Sequence, residues 1–187
     1  MAKKASTLYI TRNGLLEPLG QSQVLSYLKG LSQDYQITLI TFEKPEDLAD
    51  TQAMAKANAD CQAHGIDWRP KRFRRSPKLF APAWSMFEMF WSALQAARRG
   101  DAELIHARSY LPAAAAWAVF RLTGTPFIFD MRALWPEELV TAGRLRRGSI
   151  IHKALVGLER RCLRDAAVVV SLTEAATDYL KQEYPIE

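Results

Sequence analysis

Apolar residues form two kinds of pattern along the chain. Short continuous runs rich in β-branched and aromatic residues are typical of buried parallel strands, and segments with apolar residues at every third or fourth position are typical of helices. The predicted strands are residues 7–11, 36–42, 66–69, 104–107, 126–130 and 166–171. The predicted helices are one through Val24, Leu25, Leu28 and Leu31, then 46–64, 80–99, 111–122, 135–141 and 150–163, and a last one capped by Thr173. This alternation predicts an α/β fold, a Rossmann-like parallel sheet with helices on both faces.

Length and composition favour a single globular unit. A chain of 187 residues is long enough for one well-packed domain, residues 1–187, and short for two. Hydrophobic residues make up 49% of the chain and charged residues 24%, which is ordinary for a soluble protein. No apolar run reaches the length of a membrane span, and no run of signal-peptide length follows residues 1–6. We therefore expect a cytoplasmic protein.

The cysteines and histidines are too widely spaced to complete a metal or redox motif. The cysteines are Cys61 and Cys162, and the histidines are His64, His106 and His152. Isolated cysteines of this kind are typical of reduced, buried thiols in a reducing compartment. We expect no metal site.

Basic residues are concentrated in two stretches of this chain, which has a formal net charge of +5, and the second stretch, positions 144–153, holds four of them. Between positions 69 and 78 they are Arg69, Lys71, Arg72, Arg74, Arg75 and Lys78. Such runs are usually solvated faces, although this one would also suit an anionic lipid surface, a nucleic acid or a phosphorylated substrate. Among these partners we favour an anionic membrane surface, at the inner face of the cytoplasmic membrane, and expect no nucleic acid.

The helix that follows the basic stretch has an unusually wide apolar face. Its aromatic and aliphatic residues at helical spacing are Phe80, Trp84, Phe87, Trp91 and Leu94. Packing of this stripe against the sheet is the favoured interpretation. The alternative is an aromatic face at a membrane interface, with the preceding basic residues bound to anionic headgroups.

A glycine-containing loop joins the first predicted strand to the first helix. Backbone N–H groups at such a helix start, together with the helix dipole, favour an anion such as a phosphate, and Gly20 and Gln21 lie there. The dinucleotide fingerprint Gly-x-Gly-x-x-Gly is absent, because Gly14 and Gly20 are six residues apart. A tight turn into a helix cap explains Gly20 equally well. Glu43, after the second strand, lies where an acid can hold a ribose, but a single acid there is common.

Polar residues follow the carboxyl ends of several predicted strands, the edge at which α/β sheets bind ligands. They are Arg12, Asn13, Arg108, Ser109, Tyr110, Asp130 and Arg132, with residues 171–174 after the last strand. Two arginines there can clamp an anionic group, and Asp130 can accept a hydrogen bond from a hydroxyl or act as a base. An ion pair that only orders the loops is an equal alternative. Trp135 can stack on a sugar or base, or simply fill the loop.

Four ordered blocks of sequence carry a family resemblance. They are YITRNGLLEPLGQSQV from Tyr9, ITLITFEKP from Ile37, IHARSYLP from Ile105 and FDMRALWPEE from Phe129. Residues 168–184 add a matching last strand and helix. Together these segments resemble the amino-terminal domain of family 4 type glycosyltransferases, which have the GT-B architecture.

The resemblance implies a hexosyltransferase with two Rossmann-like domains and an active site in the cleft between them. It implies that this chain is the acceptor-binding half of a retaining enzyme of the kind that builds cell-envelope polysaccharides. A nucleotide sugar would be the co-substrate, a glycan or lipid-linked molecule the acceptor, and no metal or other cofactor would be needed. The carboxyl-terminal donor domain is absent from this chain, so we expect the isolated domain to be inactive. The alternatives are a non-catalytic binding or membrane-docking module of the same fold, or a nucleotide-binding Rossmann enzyme.

The same resemblance implies roles for individual residues. Gly20 and Gln21 match the loop that approaches the donor phosphates, and Asp130 and Arg108 are the catalytic candidates. The acceptor-side cleft would contain Arg12, Asn13, Arg108, Ser109, Tyr110, Asp130, Arg132, Trp135 and Glu138. Many relatives have His-x-His at the fourth strand, with the second His on the donor sugar. Here the pair is His106 and Arg108, which leaves the sugar contact unassigned.

Overall fold

A parallel β-sheet forms the centre of the molecule. The computed structural model describes residues 4–74 and 81–184, with the side chains of 81 and 82 excepted. Within these residues, six strands lie in the order β3-β2-β1-β4-β5-β6, and each neighbouring pair is parallel. The strands are β1 (Ser6–Thr11), β2 (Gln36–Glu43), β3 (Ile66–Arg72), β4 (Leu104–Arg108), β5 (Phe127–Asp130) and β6 (Val168–Val170). The predicted Rossmann-like sheet is confirmed.

Helices connect the strands, as the alternation predicts. They are α1 (Ser26–Leu31), α2 (Pro45–Ala49), α3 (Thr51–Ala63), α4 (Ala81–Arg99), α5 (Tyr110–Thr123), α6 (Trp135–Thr141), α7 (Ile150–Asp165) and α8 (Glu174–Glu183). A π-helical segment, Gly20–Leu25, leads directly into α1. Thr173 accepts a hydrogen bond from the Ala176 N–H, so its predicted role as the cap of the last helix is confirmed. None of the helices in the described residues is long and apolar enough to cross a membrane.

The single helix predicted for residues 46–64 is wrong, because two helices occupy this segment. Asp50 lies between α2 and α3 with a non-helical backbone, and its carboxylate accepts a hydrogen bond from the Ala53 N–H. Aspartate competes in this way with the helical backbone and is favoured as a cap.

Two apolar cores cover the two faces of the sheet. Along β1, Leu8 and Ile10 belong to the core formed with α4, α5 and α7, whereas Tyr9 belongs to the core formed with α1 and α3. This alternation is what a strand buried on both faces requires. Cys61 and Cys162 are free and buried, one in each core, and burial raises their thiol pKa to about 11 and about 12.

Helix α4 packs on the core through Met89, Ala93 and Leu94 rather than through Trp84, Phe87 and Trp91. Met89 and Ala93 are fully buried against α5, whose buried face is rich in alanine. Trp84, Phe87 and Trp91 are instead 48%, 53% and 47% exposed. The favoured interpretation of this stripe as core is therefore wrong for these three residues, since the alanine-rich face of α5 packs closely with the stripe through Met89 and Ala93 instead. Phe80, Arg75 and Lys78 lie outside the described residues.

Candidate active site

Strand register aligns the predicted site residues at the carboxyl edge of the sheet. Thr11 of β1 pairs with Arg108 of β4, which pairs with Asp130 of β5. Strand order reverses between β1 and β4, because β2 and β3 lie on one side of β1 and β4, β5 and β6 lie on the other. Parallel α/β sheets bind ligands at such a switch point. The structure thus brings together the residues that the sequence selected at the fourth and fifth strands.

Charged side chains converge on Asp130. Its two carboxylate oxygens lie 3.4 Å from Arg132 Nη1 and 3.7 Å from Arg108 Nη1. The shorter bonds of both arginines go to one neutral oxygen, since Gln23 Oε1 accepts from Arg108 Nη2 at 2.6 Å and from Arg132 Nη2 at 2.8 Å. We call Gln23, Arg108, Asp130 and Arg132 the Asp130 cluster.

The Asp130 cluster carries more positive than negative charge. Two guanidinium groups face one carboxylate, and the amide oxygen of Gln23 lies between them. Gln23 is exposed, so its side chain can leave without disturbing the core. An anionic oxygen in its place would form charge-assisted hydrogen bonds, which are stronger than those to a neutral amide. The arrangement is therefore suited to binding a phosphate or carboxylate.

Asp130 is held in its ionised form. Burial alone would raise the pKa of its carboxyl, but the adjacent His106 and the positive charges of Arg132 and Arg108 lower that pKa below its usual value. A carboxylate with a lowered pKa is a weak base. This geometry suits Asp130 better to orienting the two arginines than to accepting a proton from a substrate.

His106 lies two residues before Arg108 and is buried beneath the Asp130 cluster. Its ring packs against Tyr9, with centroids 4.4 Å apart, and against Tyr27, 5.9 Å away. Its Nε2 is 3.6 Å from Asp130 Oδ2 and forms no hydrogen bond with the described protein groups. His106 thus lies next to the cluster on the inner side, within the sheet, and Arg108 lies nearer to the carboxyl edge of the sheet.

The glycine loop folds against its own backbone. A Cβ added to Gly20 would overlap the Gly14 carbonyl oxygen and lie 2.7 Å from the Leu15 carbonyl oxygen. The Gln21 side-chain amide donates to the Leu15 carbonyl oxygen at 2.8 Å. Gly20 is therefore required by close packing within the loop, and Gln21 fixes the same segment at the start of the π-helix.

A buried carboxylate anchors this loop from β2. Glu43 is completely buried and accepts hydrogen bonds from the Leu15 N–H at 2.7 Å and the Thr41 hydroxyl at 2.5 Å. A Cβ added to Gly14 would lie only 2.6 Å from Glu43 Oε2. The carboxylate thus has a structural role beneath the loop, and its burial excludes the ribose contact considered from the sequence.

Removing this anchor is expected to destabilise the fold. Glu43→Ala should lower the free energy of unfolding by about 2–4 kcal/mol, because the Leu15 N–H and the Thr41 hydroxyl lose a buried acceptor. Burial raises the pKa of Glu43 above its usual value despite these hydrogen bonds. The folded state therefore holds this proton more tightly, so the residue's contribution to stability falls as pH rises through the interval between the usual and the raised pKa.

Urea unfolding across the acid range measures both effects. Glu43→Gln is the matched control, since it keeps the size of the side chain but cannot ionise, and it should lack this part of the pH dependence. Equal pH dependence in the wild-type chain and Glu43→Gln would contradict the role given to the carboxylate.

A second group of predicted residues lines a neighbouring cavity of about 150 Å³. Arg12, Ser109, Tyr110 and Trp135 contribute to its wall. Ser109 has a φ of 77°, a conformation that costs a residue with a side chain roughly 1–3 kcal/mol. Its N–H donates to the Asp130 carbonyl oxygen at 2.8 Å. This cavity therefore adjoins the Asp130 cluster through the backbone of β5.

The walls of the cavity are fixed by polar contacts. The Tyr110 hydroxyl donates to Glu159 and accepts from the Trp135 N–H at 3.2 Å. The guanidinium of Arg12 lies 5.0 Å from the Phe73 ring, and burial lowers its pKa. Trp135 packs on Tyr110 with centroids 5.5 Å apart. These contacts leave Trp135 half-buried, so it both fills the loop and forms part of the cavity wall.

The remaining predicted residues lie further out. Asn13 donates from its amide to Glu17 at 3.1 Å, and Glu17 pairs with Lys44 at 2.9 Å. Glu138 is exposed on α6 and lines a separate depression with Leu134 and Thr141.

The sequence prediction did not assign Gln23 to the site, and for Glu43 it considered a ribose contact rather than the structural role that the carboxylate has. Gln23 lies close in sequence to Gly20 and Gln21. An amide side chain near a strand edge rich in arginine is the signal that could have identified it. Its contact with two arginines depends on the π-helical turn, which the sequence pattern does not specify.

A protein-family model described as a glycosyl transferase 4-like domain matches residues 21–186. This chain belongs to that family. The match includes the Asp130 cluster and most of the strands, and the resemblance drawn from the four sequence blocks is confirmed. A search of curated proteins gave no match.

Solved structures with the same fold include sugar-nucleotide enzymes from plants and bacteria. Phytolacca americana UGT2, complexed with UDP-2fluoro-glucose and pterostilbene, has a TM-score of 0.65 and 11% identity over 99% of this chain and 52% of its own. Arabidopsis thaliana UGT89C1, complexed with UDP, has a TM-score of 0.58 and 11% identity over 96% of this chain and 48% of its own. A putative UDP-N-acetylglucosamine 2-epimerase from Listeria monocytogenes has a TM-score of 0.58 and 10% identity over 97% of this chain and 43% of its own.

These structural likenesses concern the fold. This glycosyl transferase 4-like domain has the Rossmann-like fold of one half of a GT-B glycosyltransferase, as predicted. The chain spans about half the length of the solved structures it matches.

Proposed function

We propose that this domain is the acceptor-binding half of a retaining hexosyltransferase that uses a nucleotide sugar. The supporting observation is the family match over residues 21–186, which contains the positively charged Asp130 cluster at the ligand-binding edge of the sheet. The acceptor is a glycan or a lipid-linked molecule. A carboxyl-terminal donor domain, which would face this edge across a cleft, is the proposed structural partner.

In this proposal the Asp130 cluster binds an anionic group of a substrate. The group displaces Gln23 and is held by Arg108 and Arg132, whose positions Asp130 maintains. The arginines supply the positive charge that stabilises the anion, so no resident metal is needed for this step. Gly20 and Gln21 lie in the same π-helical segment as Gln23 and would limit how far a donor phosphate enters.

Two further observations support the finer points of the proposal. UGT2 and UGT89C1 were solved with UDP-2fluoro-glucose and with UDP, which is consistent with a nucleotide-sugar co-substrate here. Both cysteines are free and buried, which fits a cytoplasmic protein in a reducing compartment.

Transfer by the full-length protein that contains this domain tests the proposal. We expect sugar transfer from a uridine or guanosine diphosphate sugar, with the anomeric configuration retained in the product. Arg132→Gln should lower kcat/KM by about 10–100-fold, because one arm of the anion clamp is lost. The matched control is Arg121→Gln, an exposed arginine on α5, which should leave kcat/KM unchanged.

Three results would contradict the proposal. Inversion of the anomeric centre would overturn the retaining mechanism, and equal effects of the two arginine substitutions would overturn the clamp. Binding of a nicotinamide dinucleotide to this chain in preference to any nucleotide sugar would favour a different Rossmann enzyme.

A further inference from the structure

The exposed side of α4 carries three large aromatic residues in a row. Trp84, Phe87 and Trp91 follow one another at intervals of three and four, so they lie on one face of the helix. Each is about half exposed, and the ring centroids are 6.0 Å and 6.1 Å apart along the row. We call these residues the aromatic face. Contiguous exposed aromatic surface of this kind marks an interaction site in a folded protein.

Positive charge lies on the same side of the sheet as the aromatic face. The guanidinium of Arg74 lies over the Trp84 ring at 5.1 Å, and Arg98 continues the same helical stripe in the last turn of α4. Side chains alternate along β3, and Trp68 belongs to the core on the α1 side, so Arg69 and Lys71 point to the side of the sheet that α4 covers.

Little negative charge offsets these groups. Glu88 is the one acidic residue in the sequence of α4, and it is half-buried. Asp67 forms an ion pair with Arg69 at 2.6 Å, whereas Lys71, Arg74 and Arg98 form no ion pair among the described residues. The surface thus combines exposed indole rings with a local excess of positive charge.

We infer that the aromatic face docks on a bilayer rich in anionic lipids. Tryptophan side chains are favoured at the level of lipid headgroups, where the ring is partly in the apolar layer and the N–H remains hydrated. Basic residues beside them are attracted to negatively charged headgroups. Helix α4 would lie along the membrane plane with this face inserted at the boundary of the acyl chains.

The position of the aromatic face relates it to the candidate active site. Residues 71–74 lie at the carboxyl end of β3, the same edge of the sheet that carries the Asp130 cluster, and Arg12 at that edge packs on Phe73. Docking would therefore bring the proposed cleft close to the headgroup region. This deepens the proposed function by favouring a lipid-linked acceptor, although vesicle binding itself does not depend on sugar transfer.

Vesicle co-sedimentation of this chain tests the inference. We expect binding to phosphatidylcholine vesicles that contain about one third phosphatidylglycerol, and much weaker binding to pure phosphatidylcholine. The variant Trp84→Ser/Phe87→Ser/Trp91→Ser should bind the anionic vesicles at least about tenfold more weakly than wild type. The variant Lys71→Gln/Arg74→Gln should bind these vesicles at low salt about as weakly as wild type binds them at high salt.

The matched control removes exposed apolar side chains elsewhere. Leu122→Ser/Ile150→Ser/Ile151→Ser replaces three residues that are 62%, 87% and 64% exposed on α5 and α7, and it should bind like wild type. Circular dichroism should give the same unfolding midpoint for both triple variants, because none of the six side chains belongs to either apolar core.

Three outcomes would overturn the inference. One is equal binding by wild type and the aromatic variant, and another is equal loss in the aromatic and control variants. The third is self-association of wild type without vesicle binding, abolished in the aromatic variant, which would assign the face to a contact between copies. Failure of sugar transfer with intact vesicle binding would contradict only the proposed function.

Discussion

Gly20→Ala is expected to lower the free energy of unfolding by at least about 3 kcal/mol. The added methyl group would overlap the Gly14 carbonyl oxygen and approach Leu15 Cα to 2.8 Å. Both obstacles are backbone atoms, which cannot rotate away as a side chain can, so the loop and the π-helical segment must separate. Equilibrium unfolding in urea measures the loss, and a reduced slope would indicate that the loop is already open in the folded state.

Gly30 provides a matched control for this substitution. It lies in α1, ten residues further on, and no atom lies within 4 Å of a Cβ added there. Gly30→Ala should stabilise the chain by about 0.5–1 kcal/mol, because alanine favours the helix. Similar unfolding free energies for the two variants would show that the contact around Gly20 is not tight.

Asp130→Ala is expected to cost about 3–5 kcal/mol of stability. The substitution leaves Arg108 almost completely buried and removes the carboxylate that faces it. The effect should depend on pH. The pKa of Asp130 is lowered in the folded state, so its contribution is present above the usual carboxyl pKa and is lost as pH falls through the lowered value. Urea unfolding of wild type and of Asp130→Ala, near neutral pH and in acid, measures how this contribution to the free energy of unfolding changes with pH.

An exposed ion pair is the control for Asp130. Asp67 pairs with Arg69 at 2.6 Å, and both side chains are about half exposed. Asp67→Ala should change stability by less than about 1 kcal/mol, because water and salt screen such pairs. If Asp130→Ala proved equally mild, the two arginines would be solvated without the carboxylate, and its role in positioning them would be refuted.

The sequence was sufficient to predict the edge of the sheet that carries the candidate site. Arg108 and Asp130 end two short apolar runs, and the parallel register then sets them side by side. The two runs are short and rich in apolar residues, which favours buried parallel strands with well-defined ends. The positions of Gly20 and Thr173 at helix starts follow from turn chemistry in the same way.

The orientation of α4 could not be predicted from its own sequence. The helix has two apolar stripes, one through Trp84, Phe87 and Trp91 and one through Met89 and Ala93. Hydrophobicity alone favours the aromatic stripe as the buried one. The alanine-rich surface of α5 decides otherwise, because the two helices approach closely through the stripe of Met89 and Ala93, which has no bulky aromatic ring. The alanines that decide the orientation of α4 lie in α5, so the orientation follows only when the two helices pack together.

The cluster itself depends on geometry that no local pattern encodes. Gln23 meets Arg108 and Arg132 across 85 and 109 residues of sequence. Its direction is set by a π-helical turn, which shifts side chains relative to an ordinary helix. The sequence therefore predicted the arginines but not the amide between them.

The backbone of Ser109 has a consequence for the thermodynamics of ligand binding. A non-glycine residue with a φ of 77° is held by its neighbours, here through the bond from its N–H to the Asp130 carbonyl oxygen. The corner between β4 and α5 is thus already ordered before any ligand arrives. A ligand that binds there would not have to order the backbone of this corner, so little affinity would be lost. Calorimetry should therefore find only a small unfavourable entropy of binding from this corner.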